Sequence, residues 1–271
     1  MFLHRRYTGV YQDEKRLDTP KYLNLRRTVF DCRQLNRSEK MKLKAADLII
    51  DIEIKGDLLL SRVEPYLYDG EEKSDISFSK IPASFYEEKH KEFSHLSFDE
   101  IEYLWSGSFF YEQLTKYNGV MLHASCVEYE GKAYLFSARS GTGKSTHTHL
   151  WLEHLPGARI INDDKPAIRL IDGTFYAYGT PWSGKTDESV NEGVPIAGIC
   201  FLNRGENQIK RISGIKALKL FMDQTVRPGN KVLMLKAVDV INEILTNIPV
   251  YEMSCDMSRD AVMTAYNGMK E

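Results

Sequence analysis

Ser137-Ala-Arg-Ser-Gly-Thr-Gly-Lys-Ser-Thr146 decides the fold of this 271-residue chain. Ahead of it, Lys132-Ala-Tyr-Leu-Phe136 is a short apolar run that predicts a buried strand. Behind it, His147 to Leu155 carries Leu150, Trp151 and Leu155 at helical spacing. The expected order is strand, glycine turn, helix. Gly141 and Gly143 lack a Cβ, so successive backbone N–H groups can converge on one anion, and the helix adds the positive end of its dipole. Such a turn wraps a polyphosphate.

Within that turn Ser140, Gly141, Thr142, Gly143, Lys144, Ser145 and Thr146 form the expected phosphate site. Lys144 reaches the β- and γ-phosphates as a mobile cation, the Ser145 hydroxyl sits on the Mg²⁺ that bridges them, and Thr146 serves the first helical turn. The Walker pattern places Gly six residues before the lysine, where this chain has Ala138. A methyl group is all that must be accommodated there.

Nineteen residues after Lys144 comes Asp163-Asp164, at the end of the strand-like run Ala158-Arg-Ile-Ile-Asn162. An acid there stands at the carboxyl edge of the sheet, beside the nucleotide, and can hold Mg²⁺ directly or through water. Adjacent strand residues point to opposite faces, so one acid would face metal and the other the incoming nucleophile. A solvated turn ahead of Lys165-Pro166 is the competing reading.

The formal net charge is −2 and the charges are interspersed, which points away from a nucleic-acid or membrane surface. The longest apolar stretches are strand-sized, against roughly 20 residues for a membrane span. Met1 to Tyr7 has no apolar signal segment, so a cytoplasmic protein is expected. Cys32, Cys126, Cys200 and Cys255 are scattered without a C-x-x-C pair and read as reduced thiols without catalytic duty.

Residues 1–95 read as a small β-rich N-terminal module. Thr28-Val-Phe30 and Leu48 to Ile54 look like strands, and Lys55-Gly-Asp57 predicts a turn into a second hairpin strand at Leu58-Leu-Leu60. Lys40, Lys42 and Lys44 lie between as charged spacers, and Glu87 to Glu92 is solvated. Ser97-Phe-Asp-Glu100 is a capping box opening a helix with Ile101, Leu104, Trp105, Phe109 and Leu114 along one face, ended by Asn118-Gly119. Residues 96–271 then form the catalytic domain. Val120 to Val127 is one strand, returned by Tyr129-Glu-Gly-Lys132 into the strand that feeds the glycine turn. Further strands are expected at 158–162, 167–170, 174–178, 196–202 and 250–255, and helices at 215–225, 237–245 and 259–269.

His123, the hairpin, Ser140-Gly-Thr-Gly-Lys-Ser145 and Asn162-Asp-Asp164 resemble the catalytic domain of HPr kinase/phosphorylase, of the phosphoenolpyruvate carboxykinase-like P-loop group. The resemblance covers roughly residues 119–204 well and the rest loosely. It implies an α/β fold of the HPr kinase / phosphoenolpyruvate carboxykinase type with a mixed sheet, ATP and Mg²⁺ as cofactors, and a hydroxyl acceptor. It also implies that His123 pairs with Asp163 as the general base, while Lys144, Ser145 and Asp164 serve phosphate and metal. A histidine that orients a proton-accepting carboxylate makes chemical sense of that pair; by itself His123 reads equally well as a hydrogen-bonded core residue.

Thr180-Pro-Trp-Ser-Gly-Lys185 is a second polar glycine turn. Ser183, Gly184 and Lys185 can close over the transferred phosphate or the acceptor and Trp182 can wall a pocket, or the segment is a plain surface loop. Arg227 is similar in context to an arginine-glycine segment of the family and is placed to offer charge to the γ-phosphate, or lies in solvent. His147 and His149 diverge around the helix by about 200°, too far for a shared metal; His147 can still see phosphate.

The reading is an ATP- and Mg²⁺-dependent kinase acting on a seryl group of a protein or peptide, or on a small molecule such as free serine. A homo-oligomer is compatible with it. The N-terminal region does not match that of the family, and no copy of the family's segment that couples kinase and phosphorylase activities is found, which leaves the acceptor open. The alternatives are a nucleotide-gated peptide- or partner-binding module without turnover, and a carboxykinase-like lyase.

Overall fold

The computed structural model describes residues 38–78 and 80–270. The expected strand at Thr28-Val-Phe30, and Cys32, lie outside them.

β1 (Glu39–Ala45) and β2 (Leu48–Ile54) form an antiparallel hairpin in which Ala45 pairs with Leu48. Ala46 and Asp47 close it at φ 52° and 54°, the left-handed pair that a two-residue turn requires. Sequence reasoning took Lys40, Lys42 and Lys44 for spacers. They alternate with Met41, Leu43 and Ala45 instead, and Leu43 and Ala45 are fully buried on the inner face. The hairpin expected after Lys55-Gly-Asp57 does not form, because Asp57–Leu60 is a short helix, α1. Buried Glu102 takes the N–H groups of Lys55 and Gly56 at 3.0 and 2.6 Å, which ends β2 there.

Short strands β3 (Leu67–Tyr68) and β4 (Ile76–Ser77) complete a four-stranded sheet in the order β3-β1-β2-β4. The charged run at Glu87 lies on α2 (Ala83–Glu92). The capping box opens α3 (Phe98–Leu114) as expected, Glu100 N–H donating to Ser97 Oγ and Ser97 N–H to Glu100 Oε2. Its buried surface is wider than one stripe: Phe98, Ile101, Phe110, Tyr111 and Leu114 are buried, and Leu104, Trp105 and Phe109 partly so. Asn118, at φ 53°, ends the segment.

The run from Val120 to Val127 is two strands. β5 (Gly119–Met121) pairs with β9 (Ala167–Ile171), whereas β6 (Ala124–Tyr129) pairs with β7 (Lys132–Ser137) and β8 (Arg159–Asn162). His123 therefore sits at the point where the chain changes partners, and not within a strand. β10 (Thr174–Tyr178) joins β9 to the long β11 (Gly193–Arg204). β11 runs parallel to β7 and to β13 (Val250–Cys255), and β12 (Gln208–Ile212) pairs with β13. The result is a curled mixed sheet of nine strands. The mixed α/β architecture and the small N-terminal β-sheet agree with the sequence reading.

α4 (Lys144–His154) and α7 (Arg259–Met269) cover one face of this sheet, packing Trp151, Ala261 and Ala265 with Tyr134, Phe136 and Met253. α5 (Gly214–Asp223) and α6 (Lys231–Asn247) cover the other, where Phe221, Ile241 and Ile244 meet Leu135, Ile199 and Phe201. Successive residues of β7 feed opposite cores, as the period of 2 dictates. A fully buried side chain such as Phe136 contributes roughly 1.5–3 kcal/mol. A third core joins the N-terminal sheet to α3, Ala167, Tyr178 and Trp182. Among the described residues no helix is long and apolar enough to cross a membrane.

Strand direction gathers the site. β6 runs antiparallel to both β7 and β8, so the start of β6 lies beside the ends of the other two. Ala124 pairs with Ser137, which puts His123 opposite the mouth of the glycine turn.

Candidate active site

The glycine turn follows β7 directly. Gly141 and Gly143 have φ of 74° and 119°, and a Cβ at either would meet nothing within 4 Å, so their backbones border open space. No side chain caps the start of α4, which leaves its first N–H groups for an anion. Ala138 is buried in the core beneath α4, so the departure from the Walker pattern is a methyl group packed on the protein side. Arg204, at the end of β11, donates to Gly141 O at 2.7 Å and Thr142 O at 3.3 Å. Those bonds fix the carbonyls of the turn.

Asp163 is 5% exposed and accepts three hydroxyl hydrogen bonds: Ser125 at 2.7 Å on Oδ1, Ser145 and Thr186 each at 3.0 Å on Oδ2. Ser125 is in turn 2.8 Å from Thr148 on α4. Asp164 faces differently. Its Oδ1 is 3.0 Å from His123 Nε2, and its Oδ2 is 2.8 Å from Lys165 Nζ. Burial pushes this carboxyl up, but Lys165 and His123 outweigh it and hold it well below the usual carboxylate range. Asp164 is a carboxylate at neutral pH.

The pairing implied by the resemblance is thus exchanged between the two acids. His123 meets Asp164, and Ser145 meets Asp163. His123 Nδ1 lies 3.0 Å from Gln224 Oε1 and so carries a hydrogen toward that amide oxygen. Its Nε2 is also 3.0 Å from Lys144 Nζ. A neutral ring accepts from Lys144, and a protonated one donates to Asp164, so the imidazole links the lysine to the second acid. Burial lowers the Lys144 pKa, and Asp164 and Asp163 offset only part of that effect.

Neighbouring ligands on an octahedral Mg²⁺ stand roughly 2.9 Å apart, and Ser145 Oγ and Asp163 Oδ2 are 3.0 Å apart. That hydroxyl and carboxylate fit the ion. Among the described residues no cluster of three or more His, Cys, Asp or Glu could hold a metal. Mg²⁺ needs only one or two protein oxygens when phosphates and water complete its shell.

Of the other expected site residues, Gly184 stays beside Asp164, whereas Trp182, Arg227 and His147 are engaged elsewhere. Trp182 is 1% exposed, stacked on Phe110 with ring centroids 4.8 Å apart, its Nε1 donating to Ser106 Oγ. It is a core residue, and the cavity it lines with Tyr103, Gly107 and Lys165 measures only about 10 Å³. Ser183 is buried and donates to Asp187, Lys185 is exposed, and Gly184 lies against Asp164. Arg227, four residues beyond α5, turns back on that helix, to Met222 O at 3.1 Å and Asp223 at 3.5 Å, and so closes its C-terminus. Thr146 is exposed in the first helical turn and Ser140 exposed in the loop. His147 is 3% exposed, packed between Phe136 and Trp151 in the core beneath α4. His149 bridges Ser145 O at 2.6 Å and Glu188 at 3.1 Å.

Sequence reasoning missed Ser125, Lys165, Thr186, Arg204 and Gln224. Ser125 was within reach, because it stands two residues from His123 along an extended chain and shares its face. Arg204 and Gln224 arrive from distant elements and leave no local signal. A cavity of about 540 Å³ lies between the β1–β2 turn and β10, lined by Lys44, Asp47, Tyr176 and Tyr178 among others, and none of the expected site residues borders it.

No protein-family model and no curated protein matches the chain. Among solved structures, the Hpr(Ser) kinase/phosphatase from Coxiella burnetii is similar at 12% identity, over 45% of this chain and 94% of that one, with a TM-score of 0.28. Similarity at that level carries no functional argument. The geometry of the site has to carry it.

Proposed function

We propose that the chain is an ATP- and Mg²⁺-dependent phosphotransferase that moves the γ-phosphoryl group to a hydroxyl. One observation carries the reading: Lys144 and Ser145, at the head of α4, meet the two acids after β8 and His123 at a single edge of the sheet. A lysine, a hydroxyl facing a carboxylate, and a second carboxylate backed by an imidazole are what phosphoryl transfer needs in addition to the loop amides.

The roles follow from the contacts. The uncapped N–H groups of α4 and the Lys144 ammonium hold the phosphate chain, and Arg204 keeps the turn in shape from behind. Ser145 and Asp163 are the oxygens that fit Mg²⁺, which when bound neutralises charge on the phosphates. Asp164 accepts the proton of the acceptor hydroxyl as its oxygen bonds to the γ-phosphorus and the bond to the β–γ bridging oxygen breaks, releasing ADP. His123, held by Gln224, orients that carboxylate and can take the proton onward. The seryl, peptide or small-molecule nature of the acceptor is set by residues beyond Asp164.

Calorimetric titration with ATP and Mg²⁺ tests the reading. Wild type should bind at millimolar or better, and Lys144→Ala should lose binding with its fold intact by circular dichroism. An unchanged titration in the variant, or none in wild type, removes the proposal.

A further inference from the structure

Residues 183–189 form a strap across both acids. Thr186 donates to Asp163 Oδ2, and Glu188 O takes the Asp163 N–H at 3.0 Å. Ser189 bridges Asn162, the last residue of β8. Gly184 is so close to Asp164 that an added Cβ would lie 2.5 Å from the Asp164 Cβ. The strap thus bonds to Asp163 twice and packs against Asp164.

The outer side of the strap is held by residues 81 to 147 positions earlier in the chain. Arg62, just beyond α1, donates from Nη1 to Gly184 O and to Tyr103 OH, and its Nε lies 3.4 Å from Asp187. Tyr103 on α3 accepts the Gly184 N–H at 2.9 Å and presents its ring 4.7 Å from the guanidinium carbon. Tyr66 OH is 2.7 Å from Ser189 Oγ, and Asn191 donates to Lys44 O and Pro65 O. The Arg62 side chain is 8% exposed. A desolvated guanidinium engaged through both Nη1 and Nε fixes orientation in a way that an exposed, mobile arginine does not.

We propose that the N-terminal sheet region is a positioning clamp for the reaction: Arg62, acting with Tyr103, sets the strap and through it the two acids. The inference rests on the phosphotransferase reading. Arg62 and Tyr103 touch neither the glycine turn nor Lys144, so they are positioning residues. Their loss should separate transfer from nucleotide binding. Misplacement of a reacting group by about 1 Å costs on the order of 10² in rate.

The test uses the full chain with Arg62→Lys, which keeps the charge and loses the fork, and Tyr103→Phe, which keeps the ring and loses the acceptor of the Gly184 N–H. ATP is the probe, with water as the acceptor and ADP release as the rate. Three quantities are compared with wild type: ATP affinity, ADP release, and amide hydrogen exchange at Gly184 and Thr186 with Leu135 in β7 as an internal reference. The clamp predicts affinity within about threefold, ADP release down at least tenfold, and strap amides exchanging at least tenfold faster while Leu135 does not change. Exchange and release both unchanged would overturn it, as would faster exchange with release intact. Absence of ATP binding by wild type has a different signature: it fells the phosphotransferase reading itself, and the catalytic part of the clamp with it.

Discussion

His123 Nε2 stands 3.0 Å from Asp164 Oδ1, on the second acid of the pair. The first acid turns the other way and takes three hydroxyl hydrogen bonds, one of them from Ser145. Two adjacent carboxylates thus occupy distinct chemical settings. Asp164 has an imidazole and an ammonium at its oxygens, while Asp163 has neutral donors that a hard cation can replace on the same oxygens.

Asp164→Asn should bind ATP with Mg²⁺ as wild type does, yet release ADP on the order of 10²–10⁴ times more slowly. Asp163→Asn should instead lose the part of its ATP affinity that depends on Mg²⁺. Paired titrations with and without the ion, alongside ADP release, decide between them. The opposite pattern would return the base to Asp163.

Arg204 holds the carbonyls of Gly141 and Thr142 from an exposed position, so Arg204→Ala touches no core. Its stability should stay within about 1 kcal/mol of wild type, as for other exposed substitutions. ATP affinity should fall about tenfold, because a turn whose carbonyls are free to rotate presents its amides less uniformly. A variant that binds ATP as tightly as wild type would mean that the turn is rigid without Arg204.

What the sequence disclosed was local. Gly141, Gly143 and Lys144 are constrained by the turn they make, and that turn was readable from ten residues. The capping box at Ser97 was readable for the same reason. His123 was not, since Val120 to Val127 is buried on both sides of the break and an unbroken apolar run hides a change of partner strand. Alternation said that Asp163 and Asp164 diverge, but which one meets the imidazole depends on the pairing of β6 with both β7 and β8, which is set far away in the chain. Trp182 looked like a pocket wall because nothing near it in sequence supplies a cavity. The space comes from Gly107 on α3, where a Cβ would stand 2.7 Å from the indole.

Gly184 combines φ +83° with a 2.5 Å approach to Asp164 Cβ, so Gly184→Ala carries both backbone strain and a clash. The strain alone is about 1–3 kcal/mol for a residue held in a sparsely populated region. Thermal denaturation should register it as a lowered midpoint. ADP release should drop further than the stability loss accounts for, since the methyl pushes on the carboxylate assigned as base. A variant with wild-type midpoint and rate would show that strap and Asp164 are not in contact.

His147 gives a pH dependence of stability that is separate from catalysis. Burial beside Phe136 and Trp151 pushes its pKa down to about 4 from an ordinary 6.5. Trp151 Nε1–H donates to Nε2, and Nδ1 has no hydrogen-bond partner, so nothing there compensates a charged ring. Between those two values the unfolded chain binds a proton that the folded chain refuses, so stability rises with pH across the window. The contribution is complete above about pH 6.5 and is lost as the pH falls toward 4; from pH 8 to pH 5 the loss is about 2 kcal/mol. His147→Gln keeps an acceptor for the indole N–H and removes the titrating group. Urea denaturation at half-unit pH steps should show wild type weakening below pH 6.5 and the variant weakening less over the same range, by about that amount at pH 5. Parallel curves for the two proteins would place the acid sensitivity in another group and take His147 out of the account.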